Sequence, residues 1–359
     1  MKPYGIISDV HAHNWNQFST TLKDGMNSRL KNILDEVELA GKHVLDDGGD
    51  TLYIAGDLFH VRGSVSPMVL NPLIDLFTYL SKRGLKVRIL TGNHDLESRD
   101  SHAMSSACES LRNIEGVRVI STPTIFFDEE VVMVPWYDNM DDVRKHVQNA
   151  IGEIDDIGDD AENYTLILHV PLNGVLSGIP EHGFYAQELK RLGFKRVFCG
   201  HYHNFKAFEG EVYSVGATTH QTWSDVGTNA GHIMVDDEGV HHLQTSAPRF
   251  IDYDLSWSDN EAADQCSGNF VRVRLGEADD DEIDMIRCHI VGLGALGCQV
   301  AAIPVPKGTA TKRSAPTVKA PTVRESIAAW TKANSGLSDT TELDKLCSSI
   351  MDEVEAVTV

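Results

Sequence analysis

Residues 87–96 read VRILTGNHDL. The apolar run suits a buried strand, and it passes directly into Asn93, His94 and Asp95, three side chains poor at core packing, on the turn where that strand has to end. By itself a turn accounts for them, since Gly, Asn and Asp tolerate left-handed backbone and bond to their own main chain. The layout recurs, however. SDVHAH (8–13), GDLFH (56–60), LHVPLNG (168–174) and GHYH (200–203) each follow an apolar run and each offer Asp, Asn or His at its end. A lone histidine is most simply a structural residue. Five such segments together point to a metal site, because in open α/β sheets separate loops converge at the carboxyl ends of strands.

Between these segments strand and helix patterns alternate. GIISDV is followed by Met26, Leu30, Ile33, Leu34 and Val37 at helical spacing, then by TLYIAGD, a helix around PLIDLFTYLSKRG, and KVRILTG. Further strands are expected at TIFFD, VVMVPW, TLILHV, RVFCG, VYSVG and HIMV, with an exposed acidic helix over 141–162. The alternation predicts an α/β protein with its helices outside the sheet. Beyond about residue 250, FVRVRLGEADDDEIDMIRCHIVGLGALGCQVAAIPV reads as strand, acidic helix, strand, and PKGTATKRSAPTVKAP reads as a linker. The tail places Thr322 and Glu325 as a capping box before Val323, Ile327 and Trp330, then Leu343, Leu346, Ile350 and Val354 on a second helical stripe. The expected division is a main domain over 1–245, a small α+β capping domain over 246–305, a linker over 306–321 and a helical tail over 322–359. GLGALG at 292–297 matches a dinucleotide fingerprint, but no helix opens at its third glycine before Pro304, so it reads as a turn between two strands.

Composition removes several classes. Six cysteines in 359 residues, without a CxxC pair, argue against a disulfide framework and a zinc ribbon. No apolar run reaches the ~18 residues of a membrane helix, and MKPYGIISDVH enters a strand rather than a signal peptide, which predicts a cytoplasmic protein. The formal net charge is -22, much of it in local blocks such as DDEIDMI and EIDDIGDDAE that suit solvated faces. A protein that grips a phosphate backbone normally carries a basic face, so a bound metal or a partner is expected to supply positive charge.

The donor types narrow the metal. Carboxylate, amide oxygen and imidazole without thiolate suit Mn²⁺, Fe or Zn²⁺. A shared Asp between two His-rich half-sites would hold two ions about 3.5–4 Å apart, the separation that stabilises attacking and leaving oxygens in phosphoryl displacement. That predicts phosphoester hydrolysis.

DxH, GD, GNHD, a strand-end His and GHxH, in this order, resemble the calcineurin-like metallophosphoesterase superfamily. The resemblance implies a β-sandwich flanked by helices. It implies that Asp9, His11, Asp57 and His203 hold one ion and Asp57, Asn93, His169 and His201 the other, with Asp57 bridging. His94 would act as a catalytic residue on the leaving oxygen, with Asp95 orienting it or bracing the turn. Within the superfamily, GDLFHVR is similar to SbcD-type DNA repair nucleases, which makes His60 a second active-site histidine and Arg62 a substrate-binding residue; VPWYDN and HVPLNG look similar to the recombination endonuclease subunit of T-even-like phages. The resemblance thus implies a DNA exonuclease and single-strand endonuclease using two divalent cations, Mn²⁺ first with Mg²⁺, Fe or Zn²⁺ as alternatives. It would work in DNA repair or recombination with an SbcC-type coiled-coil ATPase docked on the C-terminal helices, as a possible homodimer, in the host cytoplasm if phage-encoded. The rival reading is a phosphatase on the same site. His13, His102, His182, His220, Trp136 and Trp223 read as ordinary polar or packing residues, although His13 adjoins His11 and Trp223 is placed to line the cleft.

Overall fold

The central strands of the main unit are largely apolar on both faces, and alternate residues go to different cores. In a computed structural model, which describes residues 2–98, 106–178, 180–276 and 278–302 together with Lys345, Leu346 and Ser349, the first sheet contains β1 (Tyr4–Ile7), β2 (Thr51–Ile54), β3 (Lys86–Leu90) and β4 (Val117–Ile120), all parallel. The second contains β5 (Thr124–Phe126), β6 (Val131–Val134), β7 (Thr165–His169), β8 (Arg196–Gly200), β9 (Lys206–Phe208) and β10 (Val212–Ser214). Strands β6, β7, β8 and β10 run parallel, and β5 and β9 pair antiparallel at the edges. Two later strands, β11 (Gly231–Val235) and β12 (Val240–Gln244), return to the first sheet as an antiparallel extension beside β1.

The two sheets pack face to face. Ile6, Tyr53 and Leu90 from one and Val131, Met133, Ile167 and Phe198 from the other fill the space between them. Their neighbours in sequence point outward, where α1 (Ser28–Asp46) and α2 (Pro67–Lys82) cover Ile7, Ile54 and Ile89. On the far side α3 (Met140–Asp156) and α4 (Ala186–Lys190) cover Val132, Leu166, Leu168 and Val197. The result is the expected β-sandwich flanked by helices. α1 starts where Asn27 accepts the backbone N–H groups of Arg29 and Leu30, and α2 starts on Ser66 with Pro67 in its first turn.

Helix α3 departs from its expected exposure. Val143, Val147, Ala150 and Ile154 are buried, because a helix that is acidic in composition still carries one apolar stripe.

The 246–305 region supplies β13 (Phe250–Asp252), α5 (Asp259–Cys266), β14 (Phe270–Leu275), α6 (Asp280–Gly292) and β15 (Gly297–Ala302), with the three strands in one parallel sheet. This sheet belongs to the same compact unit as the sandwich, Met1–Ile303. Phe18, from the loop after β1, stacks on Phe270 with ring centroids 5.3 Å apart, and Trp223 packs edge-on against Phe250 at 4.7 Å. Trp223 therefore packs as expected. The GLGALG turn joins α6 to β15 rather than two strands, since CHIVG completes the helix; its glycines end a helix instead of opening one, the wrong polarity for a phosphate cradle. The expected linker, the tail apart from Lys345, Leu346 and Ser349, its capping box, and His102 lie outside the described residues. Among the described residues no helix is long and apolar enough to cross a membrane.

Helix α2 tests the layer assignment. Phe77 is fully buried on its inner face and Tyr79 is 41% exposed. Phe77→Ala is expected to lose about 3–5 kcal/mol of stability, whereas Tyr79→Ala should stay within about 0.5 kcal/mol, both read from denaturant unfolding of the full chain.

Candidate metal centre

Register brings the sequence segments together. Ile7 of β1 pairs with Ile54 of β2, Ile54 with Ile89 of β3, and His169 of β7 with Gly200 of β8, so the five segments leave their strands at one edge of the sandwich. There the sheets close on each other. His169 Nδ1 donates to the carbonyl of Ala55 at 2.7 Å, which joins β7 to the end of β2. A Cβ on Gly200 would lie 2.2 Å from that same carbonyl oxygen, and one on Gly56, whose φ is +100°, would lie 2.1 Å from His169 Nδ1. Glycine before Asp57 and before His201 is thus a requirement of the sheet contact.

Two groups of donor atoms form. In the first, His11 Nε2 lies 3.1 Å from His203 Nε2, 3.9 Å from Asp9 Oδ1 and 3.8 Å from Asp57 Oδ2. In the second, Asn93 Oδ1 lies 3.1 Å from His169 Nε2 and 3.0 Å from His201 Nδ1, and His169 Nε2 is 3.4 Å from Asp57 Oδ2. One oxygen, Asp57 Oδ2, faces both. All seven candidate ligands named from sequence are therefore in one place. Four of them, Asp9, His11, Asp57 and His201, hold left-handed φ angles of 48°, 46°, 52° and 102°. Such backbone costs about 1–3 kcal/mol per residue and persists only where surrounding contacts over-determine it.

The surrounding contacts are visible. Asp9 Oδ2 accepts the Ser8 hydroxyl at 2.6 Å and the His201 N–H at 2.9 Å, and Asp57 Oδ1 accepts the His94 N–H at 2.8 Å. His203 Nδ1 donates to Asp225 Oδ1 at 2.8 Å, which leaves its Nε2 directed at His11. Asp225 in turn receives the N–H groups of Gln221 and Thr222. A carboxylate behind a histidine fixes the ring and raises its basicity as a ligand. Sequence reasoning missed Asp225; the only signal was the Thr222-x-x-Asp225 capping spacing.

The buried carboxylates are matched by charge on neighbouring imidazoles. Burial opposes ionisation of Asp57, but His169 beside it outweighs burial and holds the carboxyl well below the usual range. Burial likewise works against a charged His169, and the Asp57 charge overrides it, pushing the imidazole up to about 9. His203 also rises to about 9, its burial overcome by Asp225. His201, buried and next to His169, falls to about 3. A cation seated here would take over the role of those charges. The donor set fits that ion. Asp9 Oδ1 is fully buried with no hydrogen-bond partner, an unmade interaction that a cation would complete.

The remaining candidates divide. His94 is half-buried, donates from Nδ1 to the His60 carbonyl at 2.8 Å, and stands edge-on to His11 with centroids 4.9 Å apart. His60 stacks on His94 at 5.5 Å, and its Nδ1 lies 3.4 Å from His11 Nδ1. These two rings and His11 form a third cluster at the edge of the first group. Asp95, grouped with the catalytic candidates from sequence, is fully buried and accepts the backbone N–H groups of Gly92, Leu58 and Phe59. It braces the turn and ties the β2 and β3 loops together; no contact of its carboxylate reaches the His94 ring. Burial and the nearby Asp57 charge push its carboxyl up to about 7. Arg62 is exposed and lines a cavity beside Asn93 and His201. His13 lies next to His60 with centroids 5.2 Å apart, and His220 is structural, its Nε2 donating to the Thr228 carbonyl and its Nδ1 accepting the Phe250 N–H. A cavity of about 630 Å³ lies at the opposite end of the strands, where Lys2 and Lys86 already pair with Asp50 and Tyr53 with Glu129.

A family profile for calcineurin-like phosphoesterases matches residues 2–205. The chain belongs to that family. Calcineurin-like phosphoesterases use a dinuclear metal site, in keeping with the two donor groups. Over 230 residues the chain is 24% identical to Exonuclease subunit 1 of Enterobacteria phage T4, a match covering 62% of this chain and 62% of that relative's own length. Among solved structures it is similar to a dimetal phosphatase from Danio rerio, with a TM-score of 0.41 and 9% identity over 65% of this chain and 91% of that one. It is also similar to the Pseudomonas putida nuclease MPE, with a TM-score of 0.27 and 17% identity over 58% of this chain and 66% of that one.

The Asp225 contact gives a test at one remove from the ions. Asp225→Asn keeps the shape but removes the charge behind His203, and metal affinity should fall by about 10–100-fold, measured by equilibrium dialysis against Mn²⁺ with circular dichroism to verify the fold.

Proposed function

We propose that this phosphoesterase is a two-metal-dependent DNA nuclease, acting on DNA ends and on single strands. The observation that carries the reading is Asp57 Oδ2, buried between two donor groups of the composition that phosphoryl displacement requires. Asp9, His11, Asp57 and His203 would hold one cation, and Asp57, Asn93, His169 and His201 the other. Mn²⁺ is the first choice on donor type, with Mg²⁺, Fe and Zn²⁺ as alternatives. When bound, such ions supply Lewis acidity at the phosphoryl oxygens and activate water. Everything else falls to the chain. Asp225 and the Ala55 carbonyl fix the tautomers of His203 and His169. His94, anchored through Nδ1 to the His60 carbonyl, keeps Nε2 as the atom that carries a proton to the departing oxygen. His60 steadies that ring by stacking, and Arg62 faces the incoming phosphate backbone from the cavity next to the ions.

The T4 relative is by its name a subunit of an exonuclease, and this supports both the DNA substrate and a partner. The partner fitting the SbcD-type resemblance is a coiled-coil ATPase of the SbcC kind, docked on residues 322–359, in DNA repair or recombination. Loss of co-purification with such an ATPase after deletion of 322–359 is the expected result, and unchanged binding would remove the assignment.

The activity itself is read with bis-p-nitrophenyl phosphate and with linear DNA, in Mn²⁺ and in EDTA. Cleavage of both, abolished by EDTA, is expected; hydrolysis of phosphomonoesters with no DNA cleavage would favour a phosphatase. Asp57→Ala should lose turnover and metal together. His94→Gln should keep two metal equivalents by elemental analysis while its rate falls by about 10²–10⁴-fold, and loss of one equivalent would make His94 a ligand instead.

A further inference from the structure

Trp136 follows β6 in the stretch VPW, and its backbone N–H donates to the Thr91 carbonyl at 3.0 Å. That bond fixes the residue to the same loop that carries Asn93. The indole is stacked on His201, with centroids 5.1 Å apart and planes 25° apart, and stands edge-on to His169 at 6.1 Å. Among the described residues Trp136 belongs to none of the hydrophobic clusters, whereas its neighbour Tyr137 packs against the outer core under α3. Instead it is half-buried and forms a wall of a cavity of about 310 Å³, together with Arg62, Asn93, Pro171 and His201.

A large aromatic surface held rigid, left out of the core and opened to a cavity beside the donor groups is suited to a flat ligand. We propose that Trp136 is the stacking platform for one unpaired nucleobase of the substrate, whose phosphate sits at the metal centre within reach of Arg62. The proposal deepens the nuclease reading and rests on it for the identity of the phosphate-bearing chain. Three considerations converge. The volume is at the lower end of ligand pockets, about 300 Å³, which suits a single nucleoside rather than a base pair. Stacking accepts every base, as an enzyme that degrades strands requires. Most tellingly, the chain carries a formal net charge of -22, so a grip on the base supplies affinity for a polyanion that the overall charge repels.

The test compares two ligands with the same phosphate, dAMP and 2-deoxyribose 5-phosphate, by equilibrium dialysis against the full-length protein in Mn²⁺. This is a binding readout that needs no turnover. The wild-type protein is expected to bind dAMP about tenfold more tightly, the scale of one base–aromatic stack. Trp136→Phe should keep most of that preference and Trp136→Leu should bring the two affinities within about twofold, with circular dichroism confirming that both variants fold. Equal affinities in the wild-type protein, or a base preference that survives Trp136→Leu, would overturn the proposal. A separate arm measures cleavage of a single-stranded oligonucleotide and of the same strand with an abasic terminal nucleotide. Base preference through Trp136 with no cleavage of either strand would leave the stacking site standing and remove the DNA nuclease reading, pointing to a mononucleotide diester as substrate.

Discussion

The carbonyl of Ala55 is the point on which the carboxyl edge of the sandwich turns. It accepts His169 from the opposite sheet, and Ser8 and Gly200 crowd against it. A side chain at Gly56 or Gly200 would hold the sheets apart, and the donor atoms would separate with them. Asp9, His11, Asp57 and Asn93 come from the sheet of β1 to β3, whereas His169, His201 and His203 come from the sheet of β7 and β8. Neither sheet alone assembles either donor group. The spacing across the site is therefore set by main-chain contact between sheets, a much stiffer element than any side-chain rotamer.

That stiffness is bought locally at some cost. Four candidate ligands occupy left-handed backbone, and several imidazoles and carboxylates are removed from water. The compensation comes from the same residues. Asp95 satisfies three backbone N–H groups between the β2 and β3 loops, and Asp9 and Asp57 accept N–H groups from the very loops that carry their fellow donors. The strained turns at Asp57 and His201 are thus each held by a carboxylate from another turn, and the turn of Asp9 and His11 by backbone bonds to the carbonyls of Gly56 and Asp57. Membership of the calcineurin-like phosphoesterases places this geometry among enzymes that use paired metals.

Much of this was legible in the chain because parallel strands are buried on both faces and end abruptly. An apolar run followed by Asp, Asn or His marks both the strand and the loop, as VRILTGNHDL does. The edge strands were harder. β12 is mostly half-buried or exposed and reads VHHLQ, and β9 has three residues, so neither shows the periodicity of a strand. Helix α3 announced itself by composition, yet its buried face was hidden by the acids around it. The Asp225 contact with His203 spans 22 residues and depends on how a loop folds back, which no local spacing records. Trp136 looked like packing because sequence carries no information on which core, if any, a ring joins. Of the tail stripe, Leu343, Ile350 and Val354 lie outside the described residues, as do the capping residues of 322–325.

The order of the donors along the chain has a consequence for synthesis. Asp9 and His11 are synthesised well before His203, which lies nearly two hundred residues further on, and Asp225 comes later still. Because domains form as units during translation, N-terminal portions first, the early half of the protein must wait with an incomplete carboxylate and imidazole shell. An ion cannot be fully enclosed until both sheets are made and docked. Loading of an ion would therefore follow the docking of the two sheets, and a chain cut before His201 would lack a donor for each group.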